Sequence, residues 1–316
     1  MPRLTVPAAT AAPPEHADWL ELEALRAADK NSSSQDLASA LRRTGSSEEI
    51  EDERPIEGPD DPVADRGGET TEPIVEAALE EVEDRASACA GAYPFAIDGQ
   101  ALQGTRSVRS SLYAFLLLVS RYGKDAAPDG LNAAQLFEEV AEVAIANCMG
   151  GARNDVRTVQ FGFPRRLAPS GFRNALDDLC RRTGEGIESK ARPNRKDQKD
   201  AALDLVAWRP FPDERRGMVM AWGQCATGAD WRDKLGELHP ENWAAAWMAE
   251  RPAVVPLSAF FVPHRVDRGH WDVSAIKGGL LFDRCRIAAF AHRLPRHVRE
   301  GCRAYNRHVL AAKVLP

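Results

Sequence analysis

Two apolar segments separated by a short turn most strongly limit the folds open to this chain. Residues 203–208 (LDLVAW) and 217–226 (GMVMAWGQCA) are short, apolar and rich in β-branched or aromatic side chains, which is typical of buried strands. The intervening RPFPDERR holds two prolines and five charged residues, so it does not continue either strand. The two segments are therefore predicted to be neighbouring strands.

Helical patterns precede and follow these strands. Helices are predicted within 17–43 (two short ones), 73–90, 107–121, 131–149, 171–182 and the last 25 residues. Further strands are expected within 253–263 and 278–290, and a helix or long turn within 231–238. Asp18 is expected to cap the first helix, and Ser33 or Ser34 the second. The predicted fold class is α/β, with a central mixed β-sheet flanked by helices.

An acidic tract divides the chain. Residues 47–84 contain sixteen acidic residues and two arginines, and because the whole chain carries −6, the remainder carries +8. We expect an N-terminal helical segment (1–44), an acidic disordered linker (45–72) and a main domain (73–316) that ends in a basic helix. A basic main domain is compatible with a phosphate-bearing partner.

Composition limits the class of protein. No run approaches the roughly 20 apolar residues of a membrane helix, and the first residues lack the layout of a secretion signal. We therefore expect a cytoplasmic protein without a membrane partner. The six cysteines form no CxxC pair, so free thiols are expected in place of disulfides or a zinc site.

Asp204 is the polar residue that most needs an explanation. It stands between Leu203 and Leu205 in an apolar strand, where a carboxylate is costly to bury without a partner or a metal ion. Adjacent strands lie about 4.8 Å apart, so the next strand can present Gln224 close to it. Lys234 follows shortly after that second strand.

The strings KDAALDLVAWRPFPD and GQCATGADWRDK resemble the PD-(D/E)XK, or restriction-endonuclease-like, superfamily. The resemblance is closest to Mrr-like enzymes, in which glutamine often takes the acidic position, and to uncharacterised bacterial proteins of this type. It extends from Trp19 to Pro263, but only about 35 residues carry the catalytic pattern. It implies a central mixed sheet and an endonuclease that hydrolyses phosphodiester bonds, with DNA as the expected substrate, in restriction or anti-phage defence.

The resemblance also implies roles for individual residues. Asp204 would bind Mg²⁺ or Mn²⁺ together with Glu138, an acid on the helix before the sheet, and either the Gln224 side chain or the adjacent backbone carbonyl would assist. The superfamily lysine should stand two residues after Gln224, but Ala226 occupies that position. Either Lys234 replaces this lysine from the following segment, or the site is degenerate.

Several alternatives stay open at this point. Glu139, Asp177 and Asp178 compete with Glu138 as the helix acid, which is otherwise part of a solvated face. Nucleic-acid contacts are expected from Lys196, Lys199 and Arg232. For Lys196, Lys199 and the C-terminal arginines, the alternative is a solvated surface that follows no phosphates.

Two other functions compete with the active nuclease. One is a catalytically degenerate nuclease-fold subunit that binds DNA or scaffolds a defence complex. The other is an interaction protein whose N-terminal helices and acidic tract recruit a protein partner from the same operon or block it by mimicking DNA.

Overall fold

The computed structural model describes residues 4–48, 71–151, 155–165, 169, 171–190 and 201–312, with side chains of 45–48 excepted. The helices are α1 (Pro13–Arg26), α2 (Ser34–Glu48), α3 (Glu72–Ala88), α4 (Leu112–Tyr122), α5 (Ala133–Cys148), α6 (Phe172–Thr183), α7 (Pro240–Trp247), α8 (Arg268–Gly278), α9 (Arg284–Phe290) and α10 (Arg296–Ala311). The strands are β1 (Asn31–Ser33), β2 (Phe95–Asp98), β3 (Ala101–Gly104), β4 (Arg157–Gln160), β5 (Leu205–Arg209), β6 (Val219–Cys225), β7 (Leu257–Phe261) and β8 (Leu280–Phe282).

Five strands form a mixed sheet in the order β4-β5-β6-β7-β8. Strands β4, β5 and β6 form an antiparallel meander, and β7 and β8 then add parallel to β6. Because β5 and β6 are joined by a short turn, the end of β6 lies beside the start of β5. The predicted α/β class with a central mixed sheet is therefore confirmed.

Helices cover both faces of this sheet. On one face, alternate strand residues join the main core with α4, α5, α9 and α10; they are Leu205, Ala207, Ala221, Ala259 and Phe261. On the other face, Val206, Trp208, Met220 and Trp222 pack with residues of α6 and α7, and Phe260 and Leu281 pack beside α8. Successive residues of a strand point to opposite faces, so each strand contributes to both cores.

The N-terminal segment belongs to the main core. The apolar side chains of α1 are buried in the same cluster as those of α4, α5 and α10; they are Trp19, Leu20, Leu22 and Leu25. A small antiparallel sheet of order β1-β3-β2 lies with this part of the chain. The apolar face of α1 thus docks on the main body, which removes it as a surface for a protein partner.

A buried ion network joins α1, α3 and α9. The fully buried Arg85 contacts Asp18, Glu21 and Glu81 at 2.7, 3.0 and 2.8 Å. Arg284, also fully buried, contacts Asp18 at 2.6 Å. Asp18 therefore does not cap a helix as expected: α1 begins at Pro13, and Asp18 lies inside it as an acceptor for two guanidinium groups.

Most longer elements match the sequence prediction, with several exceptions. Ser33 caps α2 as expected, through reciprocal hydrogen bonds with Asp36. The expected strand within 278–290 divides into β8 and α9, and 231–238 begins with a short 3-10 turn. Residues 49–70 of the expected linker lie outside the described residues. In the part of the chain that is described, no helix has the length and apolar content needed to cross a membrane.

Candidate functional site

Three strands of the mixed sheet meet around the backbone of Asp204. Its carbonyl oxygen accepts hydrogen bonds from the N–H groups of Phe161 and Gly162, at 2.7 and 2.8 Å, just beyond β4. Its own N–H donates to the carbonyl of Gly223 in β6 at 2.9 Å. Asp204 is thus fixed from both sides, immediately before β5 begins.

The side chain of Asp204 faces that of Glu138. Its Oδ2 accepts a 2.7 Å hydrogen bond from the N–H of Cys225. The position that a Cβ atom would occupy on Gly162 is 3.1 Å from Oδ1 of Asp204 and 3.0 Å from Oε2 of Glu138. The separation of these two oxygens cannot exceed the sum of those distances, so both carboxylates border one space over Gly162.

Side chains of β4 hold the acids of α5 in place. The amide of Gln160 donates to Oε2 of Glu138 at 2.7 Å, and one turn further along α5 the hydroxyl of Thr158 donates to Glu142 at 2.5 Å. Residues 158 and 160 share one face of the strand, while residues 138 and 142 share one face of the helix. Hydrogen bonds that orient a carboxylate restrict its rotamers, so Gln160 positions Glu138.

The rival helix acids have other partners. Glu139 contacts Nε2 of His297 at 2.9 Å on α10. On α6, Asp177 accepts from the N–H of Ser189, and Asp178 forms an ion pair with Arg181. Glu138 is therefore the helix acid, among those proposed, that shares a space with Asp204.

Cys225 adds a neutral group to this cluster. Burial raises the pKa of its thiol well above 9.0, and the negative charges of Asp204 and Glu138 raise it further. Without a bound cation, the side chain therefore stays a thiol at neutral pH. Both carboxylates thus lie close enough to Cys225 to raise the pKa of its thiol.

Gln224 does not join the carboxylates. Cys225 packs against the main core and Trp222 against the opposite one, so Gln224, which alternates with Cys225, points away from Glu138. Its amide donates to Glu237 at 2.7 Å, and its buried Oε1 accepts no hydrogen bond from the described residues. The expected role of the Gln224 side chain is therefore corrected, and the N–H of the next residue, Cys225, holds Asp204 instead.

Lys234 also lies apart from the two acids. It ends the 3-10 turn Trp231–Lys234, and its Nζ is 3.5 Å from Asp230 with 38% of the side chain exposed. Trp231 anchors this turn against Phe260 on the face opposite α5, which corrects the expectation that Lys234 reaches back to Asp204.

The expected nucleic-acid contacts are only partly described. Arg232 is exposed, with its guanidinium carbon 4.6 Å above the ring centre of Trp231. Lys196 and Lys199 lie outside the described residues. Of the three, only Arg232 is described, and its described contact is with Trp231.

The chemistry of the site follows from two hard oxygen donors that share one space. Magnesium is usually held in proteins by one or two carboxylates, with water and substrate phosphate completing its coordination. No group of three or more His, Cys, Asp or Glu side chains suited to a metal ion occurs within the described ranges. The pair fits an open cation site that shares its ion with substrate, and does not fit a closed structural site.

Replacing Gly162 with alanine is expected to weaken divalent-metal binding at least about tenfold. The new methyl group would lie 3.0 Å from Glu138 and 3.1 Å from Asp204, so at least one carboxylate would have to move. Gly171→Ala is the matched control, because its Cβ would meet nothing closer than 3.9 Å and its φ of −77° suits alanine. Calorimetric titration with Mn²⁺ measures the effect, and equal affinity in both variants would contradict it.

Sequence reasoning did not identify Gly162, Gln160 or Cys225. Strand β4 has only four residues, with the pattern exposed, intermediate, buried, intermediate, so RTVQ gives little strand signal. The alternation of GQC could have indicated that only one of Gln224 and Cys225 shares a face with Asp204.

The comparisons with protein-family models, curated proteins and solved structures gave no match, so the geometry of this site is the basis for a function.

Proposed function

We propose that the protein is a divalent-metal-dependent nuclease of the restriction-endonuclease-like type that hydrolyses phosphodiester bonds of DNA. The observation that carries the proposal is the convergence of Asp204 and Glu138 over Gly162 at the edge of the mixed sheet. We further propose, from the sequence resemblance, a role in restriction or anti-phage defence.

The order of the elements supports this fold assignment. The resemblance implies an acid on a helix before the sheet, then an aspartate on one strand, then a second strand beside it. Helix α5 supplies Glu138, the start of β5 supplies Asp204, and β6 pairs with β5. Helices on both faces complete the expected arrangement.

The donor set supports a magnesium or manganese cofactor. Asp204 and Glu138 would hold the ion, which in nucleases supplies Lewis-acid stabilisation of the phosphate charge and lowers the pKa of bound water. Both acceptors are carboxylates, the ligands that these hard cations prefer. Glycine at position 162 lets the two carboxylates lie this close, since a Cβ atom there would be 3.0 Å from Glu138 and 3.1 Å from Asp204.

Each residue of the site has a distinct task in this proposal. The N–H of Cys225 and the backbone bonds of Asp204 fix one carboxylate, while the Gln160 amide fixes the other. Once the substrate phosphate is bound, these carboxylates are placed to orient a water molecule and accept its proton.

One observation favours a second function, a degenerate nuclease fold that binds DNA without cutting it. Ala226 stands where the superfamily has lysine, and Lys234 is paired with Asp230 on the other face of the sheet. Neither residue supplies a cation beside Asp204.

Incubating the purified full chain with plasmid and linear duplex DNA distinguishes the two functions. The nuclease proposal predicts cleavage with Mg²⁺ or Mn²⁺ and none with EDTA, as measured by the conversion of supercoiled to open and linear forms. DNA binding without cleavage in either metal would support the degenerate subunit and overturn the nuclease.

A further inference from the structure

Helix α10 presents a stripe of arginines to solvent. Arg299, Arg303 and Arg307 recur every four residues, are exposed, and form no ion pair with any described residue. The single acid of the helix, Glu300, is bound to Arg296 at 2.7 Å. The stripe therefore carries positive charge that the described residues do not neutralise.

The opposite side of α10 is firmly held. Val298, Cys302, Tyr305 and Val309 are buried in the main core. The helix is thus a rigid support, and its arginines stand at fixed intervals of about 6 Å along the axis.

The N-terminal end of α10 packs against the helix that carries Glu138. His297, in the first turn of α10, contacts Glu139 at 2.9 Å, and Glu139 is the neighbour of Glu138 in α5. Gly301 is closely packed on Leu136, one turn earlier in α5. A polyanion that lies along α10 would consequently reach the α5 turn from which Glu138 projects.

The chemistry of the exposed face limits what can bind it. It carries arginine, histidine and one paired glutamate, but none of the large apolar side chains of α10 is exposed. A helix that inserts into a membrane surface or pairs with another helix needs an apolar stripe there. Unpaired guanidinium groups instead match phosphate oxygens, which they bind through paired N–H donors.

We propose that Arg299, Arg303 and Arg307 bind backbone phosphates of duplex DNA and guide its backbone towards Glu138 and Asp204. This choice of partner rests on the proposed nuclease function. Three arginines span about 12 Å of the helix, and a DNA strand carries a phosphate about every 3.4 Å of its axis, so the stripe faces roughly three or four phosphates.

Neutralising the stripe tests the proposal. In the full chain, the triple variant R299Q/R303Q/R307Q is expected to bind a fluorescent DNA duplex at least about tenfold more weakly. The negative slope of log affinity against log salt concentration should become shallower by about 2 to 3, because fewer counterions are released. Anisotropy titrations in EDTA measure both values without cleavage of the probe.

A matched variant removes the same charge elsewhere. R215Q/R251Q/K277Q changes three exposed cations that lie off α10, and it should retain the affinity of the unmodified protein within about threefold. Equal losses in the two variants, or an unchanged salt slope in the α10 variant, would overturn the stripe as the binding surface.

The outcome is separable from that of the nuclease test. DNA binding through α10 by a chain that cuts nothing would refute the nuclease and leave the inference intact. Cleavage that is insensitive to the triple substitution at every salt concentration would refute the role of the three arginines and leave the nuclease proposal intact. Melting curves of both variants exclude misfolding as the cause of a loss.

Discussion

Replacing Asp204 with asparagine is expected to lower the rate of metal-dependent DNA cleavage by about a thousandfold or more. The cation supplies several kcal/mol of transition-state stabilisation, and each 1.36 kcal/mol corresponds to a factor of ten in rate. Asparagine keeps the shape of Asp204 and an oxygen that can accept from the Cys225 N–H, so the fold should be preserved. What it removes is the negative charge that a divalent ion requires.

The same variant should lose metal affinity in calorimetric titration with Mn²⁺, while its melting temperature without metal stays similar. Glu138→Gln is expected to show the same pattern, because both oxygens border the space over Gly162. A variant with full cleavage and no measurable loss of metal binding would refute the assignment of the two ligands.

Asp230→Asn and Lys234→Ala are the matched controls for the Asp204 prediction. Asp230 is an acid near the same edge of the sheet, but it is 62% exposed and its partner is Lys234 at 3.5 Å. Both variants should cut DNA within a few-fold of the unmodified rate, since neither side chain contacts the carboxylate pair. A large loss of cleavage rate in Lys234→Ala alone would support the alternative that Lys234 replaces the superfamily lysine.

The architecture was largely predictable because its signals are local. Helix α5 shows apolar spacing of three and four residues, and β5 and β6 are apolar runs bounded by prolines and glycine. The short elements β2, β3 and β4 were missed because each has only four residues, too few for a periodic pattern. Their identity as strands depends on pairing with distant segments.

The site was predictable only in part, for a physical reason. Asp204 was identified because an acid inside an apolar strand is costly, which is a local property. The face of the sheet to which Gln224 points depends on strand register, because a one-residue shift in the pairing moves every side chain of the strand to the other face. The location of Lys234 depends on where Trp231 anchors its turn, which is a tertiary contact that spacing cannot reveal.

The buried ion network supports a second large effect, on stability. Arg85→Met is expected to lower the free energy of unfolding by about 3–5 kcal/mol, because removing one partner of a buried pair leaves charges without compensation. Glu21 is fully buried and would keep only a 3.6 Å contact with Arg284 as its ion pair within the described residues. The carbonyl of Pro14 would also lose the 2.8 Å hydrogen bond from Arg85.

Arg268→Met is the control for Arg85→Met, since Arg268 also contacts α3, at 2.8 Å through Asp84, but is 78% exposed. Exposed pairs contribute about 0–1 kcal/mol, so urea midpoints should separate the two variants.

Burial raises the pKa of Asp18, but Arg284 and Arg85 outweigh it and hold that pKa well below 3.8. A carboxyl with a depressed pKa stabilises the fold above its ordinary pKa and loses this contribution as the pH falls. The difference in free energy of unfolding between the unmodified protein and Arg85→Met should therefore be largest above pH 3.8 and should decrease as the pH falls below it. A difference that does not change with pH would show that Arg85 does not stabilise the fold through its charge.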